Sequence, residues 1–264
     1  MLTDDQLSDF QRTGLLHLPG AVAEPDTAAI VDRIWEHLDR GDGVVRDRRE
    51  TWTLDQPSGL RAITADPRFN ALGSSAVRSA LDRVLGTGRW KTPRRWGRPL
   101  ITFPAGRGPW TLPTGGAWHN DFVPLRADAG ERAVQIFVIL DDLDVHGGGT
   151  LILTGSHRLI TRYIADTGEP PHPRRVRHAL SDHPWLRELW EPPPASTDEE
   201  RIHRYMIDGD RIDDADLRVV ELTGRAGDAF VMHCDTLHAV ALNTSEKPRM
   251  MATNIITVDD LVGT

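Results

Sequence analysis

The sequence predicts a mainly β protein, a jelly roll or related barrel with helices flanking it. Three observations carry that expectation. From about residue 99 onward, short apolar runs alternate with glycine-rich turns. Helical apolar spacing is concentrated in the stretch before them. The 264 residues also suit one large β domain, and a composition of 39% hydrophobic and 27% charged residues can bury a substantial core.

The helical part, residues 1–98, comes first. Thr3-x-x-Gln6 is a capping-box pattern that opens a helix over residues 4–12, with Leu7 and Phe10 on its apolar face and Gly14 ending it. Leu15 to Leu18 read as a short strand closed by Pro19-Gly20. Ile30, Ile34, Trp35 and Leu38 recur at helical spacing over residues 25–39, and Val77, Ala80, Leu81 and Val84 do so over residues 75–85.

The strands follow, in two blocks, residues 99–159 and 218–258. The runs at 100–103, 117–123, 133–140 and 150–153 are strand-like, and the nearly continuous apolar run at 133–140 reads as a buried strand. Strands resume at 218–222, 229–233, 236–242 and 249–256. Between the blocks, residues 160–217 are rich in proline (Pro170, Pro171, Pro173, Pro184 and Pro192 to Pro194), with a short helix expected at 184–190. An insertion of that length is a candidate lid, or a peripheral contact between subunits.

Several function classes are disfavoured. A formal charge of -8 opposes general affinity for nucleic acid or anionic membranes. The basic run Arg94-Arg95-Trp96-Gly97-Arg98, with Trp90 and Lys91, superficially resembles a base-stacking groove but reads better as a solvated loop beside an active site. No run of eighteen apolar residues is present, so no membrane span is expected. Met1 to Asp5 lack the basic start of a signal peptide, and the single Cys234 allows no intrachain disulfide; a cytoplasmic location is the natural expectation.

The chemistry is concentrated in Trp118-His119-Asn120-Asp121. A His-x-Asp pair on a strand sets imidazole and carboxylate on one face. With a distant second histidine, such a pair forms a two-His-one-carboxylate triad that leaves coordination positions open on Fe(II). The tripeptide alone says little, since roughly one is expected by chance and His233-Cys234-Asp235 is a second copy. Context separates them. His119 and Asp121 leave His238 available on a separate barrel strand, whereas the second copy would crowd its ligands onto one turn. Eleven positions beyond His238 stands Arg249, across the turn sequence Asn243 to Pro248. A hairpin there would set positions 238 and 249 side by side. A guanidinium so placed could grip the far carboxylate of a metal-bound five-carbon dicarboxylate, because its planar fork binds carboxylates bidentately.

These residues resemble the phytanoyl-CoA dioxygenase family of Fe(II)/2-oxoglutarate oxygenases. The likeness includes the amino-terminal Leu2 to Leu7, Phe10, Gly14 and Leu18-Pro19-Gly20, then His119-x-Asp121 and Leu140-Asp141-Asp142. It continues through Gly148-Gly149-Thr150, Gly155-Ser156-His157 and Gly227-Asp228, and ends with His238, Asn243, Ser245 and Arg249. Thr154, Val240 and Phe137 depart from residues common in relatives. The resemblance implies a double-stranded β-helix (jelly-roll, cupin-like) core with helices packed on one side. It implies His119, Asp121 and His238 as iron ligands and Arg249 as the 2-oxoglutarate anchor. Gln135 and Thr102 take inner-face positions from which they could bond that cosubstrate. Asp121 argues against halogenation, because related halogenases carry Ala or Gly at this position.

The expected reaction consumes 2-oxoglutarate and O2, releases succinate and CO2, and hydroxylates a small-molecule metabolite or natural-product intermediate. Desaturation, epoxidation or cyclisation could follow the same hydrogen abstraction. A cupin-like epimerase or lyase without 2-oxoglutarate, and a catalytically silent binding barrel, are the competing readings; replacement of Arg249 discriminates the first and replacement of His119 the second. Oligomeric state and substrate identity are not legible.

Overall fold

A computed structural model describes residues 2–105, 108–121 and 132–258. The amino-terminal helix α1 (Asp4–Thr13) starts at a reciprocal capping box between Thr3 and Gln6. It stops at Gly14, whose φ of 72° is left-handed. A Cβ on Gly14 would lie 2.6 Å from His157 Nδ1 and 2.7 Å from Thr236 Oγ1, so glycine is required there for space as well as conformation. Two further helices, α2 (Glu24–Asp42) and α3 (Ser75–Leu85), bury the stripes predicted for them, with Ser74 capping α3.

Two antiparallel sheets form the jelly-roll core. The five-stranded sheet has the order β1 (Leu15–Leu18), β7 (Ala229–His233), β3 (Ala133–Ile139), β9 (Arg249–Thr257), β2 (Arg98–Thr102). The four-stranded sheet has the order β5 (Asp210–Ile212), β6 (Ala215–Glu221), β4 (Thr150–Thr154), β8 (His238–Val240). Beside β8, His119 forms an isolated bridge with His238. Residues 115–117 are a single 3-10 turn rather than strand, and residues 122 and 123 of the predicted strand lie outside the described residues.

The continuous apolar run of β3 follows from burial on both faces. Val134, Ile136 and Val138 pack outward with α1 to α3, alongside Val231, Met250 and Ala252. Phe137 and Ile139 point inward, where they meet Phe230, Met232 and Met251 of the same sheet and Ile152 of the other.

The helices lie on both outer faces, not one. Residues 160–217 carry most of α4 (Ser156–Thr167), then α5 (Pro173–Leu180), α6 (Pro184–Trp190), α7 (Asp198–Ile202) and a π-helical turn at His203–Asp208. Pro173 and Pro184 sit in the first turn of their helices, where the missing N–H is no loss. Two of the prolines that interrupt the apolar spacing therefore start helices. Val176, Leu186, Leu189, Trp190 and Tyr205 pack with Leu151, Leu153, Leu217 and Val219 of the four-stranded sheet. Among the described residues, no helix is long and apolar enough to cross a membrane.

Residues 238 and 249 are not partners in a hairpin. β8 pairs with β4 in one sheet, and β9 pairs with β3 and β2 in the other. The Asn243 to Pro248 turn therefore crosses between sheets. Asn243 stabilises the crossing: its Nδ2 donates to Thr102 O and Lys247 O, and its Oδ1 accepts from the Ser245 amide and hydroxyl.

Candidate metal centre

His119, Asp121 and His238 meet at one end of the four-stranded sheet. Reciprocal backbone hydrogen bonds join His119 and His238, with N···O distances of 3.0 and 2.8 Å, and set their rings 4.4 Å apart between centroids. Each Nδ1 donates to a carbonyl two residues upstream, His119 to Ala117 O at 2.8 Å and His238 to Thr236 O at 3.0 Å. A carbonyl only accepts, so both Nδ1 atoms carry the proton and both Nε2 lone pairs remain available to a metal. Asp121 Oδ2 lies 3.8 Å from His238 Nε2. One ligand atom from each of the three residues lies within 4.8 Å of the others. Burial, then the neighbouring His119, pushes His238 down to about 4 against the opposing pull of Asp121, so its imidazole is neutral and ligand-competent near pH 7.

Arg249 lies on the inner face of the opposite sheet. It is 2% exposed, and its guanidinium donates to Gly148 O at 2.9 Å. Burial lowers it to about 10, which leaves it charged at neutral pH, and the buried Glu221 carboxylate partly offsets that cost. Thr102 is its cross-strand neighbour on β2. Gln135, on β3, shares the inner face and donates to Thr253 Oγ1 at 3.1 Å. Among the described residues, Arg249 Nε, Thr102 Oγ1 and Gln135 Oε1 are all buried without a hydrogen-bond partner. Buried polar atoms in this state are costly, so a polar guest is the physical expectation.

The family model for phytanoyl-CoA dioxygenase (PhyH) matches residues 10–251. The chain belongs to the phytanoyl-CoA dioxygenase family. It is accordingly an Fe(II)/2-oxoglutarate-dependent dioxygenase. Ectoine dioxygenase of Bordetella bronchiseptica is 24% identical over 256 residues, covering 94% of this chain and 73% of the relative. Ectoine dioxygenase of Halomonas elongata is also 24% identical, covering 95% and 68%. Among solved structures, the fold resembles HygX from Streptomyces hygroscopicus with nickel and 2-oxoglutarate bound, at TM-score 0.55 and 18% identity over 100% of this chain and 95% of that one. It equally resembles SnoK, an alpha ketoglutarate dependent carbocyclase from nogalamycin biosynthesis, at TM-score 0.55 and 20% identity over 98% and 84%.

Other sequence features of the family resolve into structural roles. Ser156 Oγ donates to Leu153 O and accepts from the Leu237 amide, which fixes the chain one residue before His238. Asp142 accepts from the Ala226 amide and from Arg225, and these contacts hold its carboxyl below the usual range. The second His-x-Asp copy is buried, but Asp235 there is ion-paired with Arg132.

Glu221 was missed by the sequence reading. Its carboxylate accepts from the amides of His146 at 2.8 Å and Gly149 at 3.0 Å. Burial raises its pKa, opposed by those amides and by Arg249. A signal did exist: Ala215, Leu217, Val219 and Glu221 form the buried face of an alternating strand, so an acid occupies an apolar position.

Proposed function

We propose that this dioxygenase hydroxylates a small-molecule metabolite or natural-product intermediate, with His119, Asp121 and His238 holding the iron. Convergence of three ligand atoms from two barrel segments, with neither imidazole Nε2 hydrogen-bonded among the described residues, carries the reading. Arg249 would bind the distal carboxylate of 2-oxoglutarate, and Thr102 and Gln135 would bond the same molecule; their unpartnered buried atoms fit such a guest. Bound Fe(II), 2-oxoglutarate and O2 supply an oxidant able to take hydrogen from a C–H bond, with succinate and CO2 released.

The chain's own part is to bind, orient and exclude water. The carbonyls of Ala117 and Thr236 fix ring orientation and tautomer at the two histidines. The α4 to α7 layer reaches the site directly: Asn120 Nδ2 donates to Pro171 O at 2.8 Å, and Arg177 donates to Trp118 O at 3.4 Å. Through these contacts the insertion would act as the lid that limits solvent at the centre. The relatives' names, which include an ectoine dioxygenase and a carbocyclase from nogalamycin biosynthesis, support a small-molecule substrate.

The test is succinate formation by the Fe(II)-loaded protein, alone and with candidate metabolites, with product analysis for an added oxygen atom. Succinate is expected in uncoupled turnover, rising with the right substrate. Its absence under every condition would sink the proposal. Arg249→Ala is expected to raise KM for 2-oxoglutarate about a hundredfold, as for a lost charge-assisted bidentate contact.

A further inference from the structure

The loop over residues 90–98, read from the sequence as a solvated loop with tryptophans, is built differently from a base-stacking surface. Trp96 is buried, packs edge-on to Trp90, and lies under the Arg78 guanidinium at 4.4 Å. Trp90 Nε1 donates to Asp82, and Arg95 donates to Thr64 Oγ1 at 2.9 Å while its carbonyl accepts from Asn254 Nδ2. The tryptophans therefore anchor the loop, and its arginines are presented outward from a fixed frame.

Those arginines rim a cavity of about 1010 Å³ between the residue 57–65 segment, this loop and the end of β2 and β9. Arg61, Arg94, Arg95 and Arg98 line it, and among the described residues no aspartate or glutamate does. Among the described residues, the side chains of Arg61, Arg94 and Arg98 have no ion pair or hydrogen bond. On a chain of net charge -8, four guanidinium groups around one cavity form a focused positive field.

The floor of this cavity is the inside of the barrel. Gln135 and Thr253 line it, and both sit on the inner face. Arg98 is the cross-strand partner of Thr253, and Thr102 is the partner of Arg249 four residues along the same two strands. At the rise of a β-strand, Arg98 and Arg249 thus stand roughly 13 Å apart along one inner face. A group held at the rim would direct the rest of its molecule into the barrel, beside the cosubstrate pocket rather than in it.

We infer that the Arg61, Arg94, Arg98 cavity binds an anionic group, a phosphate ester or a carboxylate, on the substrate of this oxygenase. The inference rests on the hydroxylation reading for the word substrate, but anion binding itself does not. Guanidinium suits either group because its planar fork donates two parallel hydrogen bonds. Arg95, already tied to Thr64, shapes the wall and adds charge.

The experiment is anaerobic calorimetry of the Fe(II)- and 2-oxoglutarate-loaded protein with methyl phosphate in one arm and acetate in the other. Saturable binding of either probe is expected, and the arm that binds more tightly identifies the group. The double variant R94E/R98E should weaken that binding tenfold or more, about 1.4 kcal/mol. The equally charge-reversed R40E/R218E, with both arginines exposed away from the cavity, should not. No saturable binding of either probe, or equal losses in the two double variants, would overturn the inference. Succinate formation by the unmodified protein is measured in parallel; its absence would count against the hydroxylation reading alone, because probe binding is read without turnover.

Discussion

His119-Asn120-Asp121 and His233-Cys234-Asp235 offer the same two side chains at the same spacing, and each forms a cluster whose candidate ligand atoms lie within 4.8 Å. Their hydrogen bonds differ in sense. At the first, Nδ1 of both histidines donates to backbone carbonyls, which leaves Nε2 as a lone-pair donor. At the second, His233 Nδ1 accepts from the Asp235 amide, which uses that lone pair internally. Asp121 is ion-paired with no arginine or lysine among the described residues and faces the neutral His238, whereas Asp235 is held by Arg132. A ligand motif becomes a metal centre when its neighbours leave lone pairs and negative charge uncommitted, and a structural knot when they consume both.

The strongest way to break this comparison is substitution at both sites. His119→Ala should reduce succinate formation by about a thousandfold or more, with little change in thermal stability, since one ligand is lost from the proposed three-ligand site. Asp235→Asn should do the reverse. It strips the partly buried Arg132 guanidinium of the fully buried carboxylate that faces it, and should cost about 3 kcal/mol of stability, measured by urea unfolding. Its metal affinity per folded molecule should remain. Equal loss of activity in the two variants would erase the distinction between the two clusters.

The next effect sharpens the account of His238. Its folded-state pKa of about 4 lies below the ordinary 6.5. The unfolded chain therefore binds the extra proton first as pH falls. The metal-free protein should hold full stability above about pH 6.5 and lose it progressively toward pH 4, by roughly 3 kcal/mol at the limit. Denaturant midpoints across that range check the sign. Metal should flatten the curve, because a coordinated Nε2 cannot be protonated.

The smallest effect concerns Glu221. Glu221→Gln keeps an oxygen for the His146 or Gly149 amide but removes the charge opposite Arg249. A shift of about threefold in KM for 2-oxoglutarate is expected, with kcat nearly unchanged, from a side chain that acts through Arg249. Steady-state kinetics at saturating Fe(II) measures it.

The residues proposed as ligands were legible because spacing and residue type declare them. His119, Asp121, His238 and Arg249 carry chemistry that few other arrangements use, and the strands bearing β3, β4, β7 and β9 show as apolar runs. What spacing could not reveal was which strand joins which sheet. A turn between 238 and 249 looks like a hairpin locally, yet β8 takes β4 as its neighbour and β9 takes β3 and β2, choices made by contacts a hundred residues away. The same holds for β1, whose partner β7 lies at the far end of the chain. Within 160–217, only α6 stood out in sequence, because the short helices there owe their stability to packing on the four-stranded sheet rather than to strong apolar periodicity.

The central claim, that iron sits at the first His-x-Asp copy and not the second, is tested most directly by an anaerobic absorbance titration. Fe(II) and 2-oxoglutarate are added to the unmodified protein, to Asp121→Ala and to Asp235→Asn. A visible metal-to-ligand charge-transfer band of 2-oxoglutarate-chelated iron should develop in the unmodified protein and in Asp235→Asn, and fail to develop in folded Asp121→Ala. A band that survives in Asp121→Ala and disappears in folded Asp235→Asn would contradict the account.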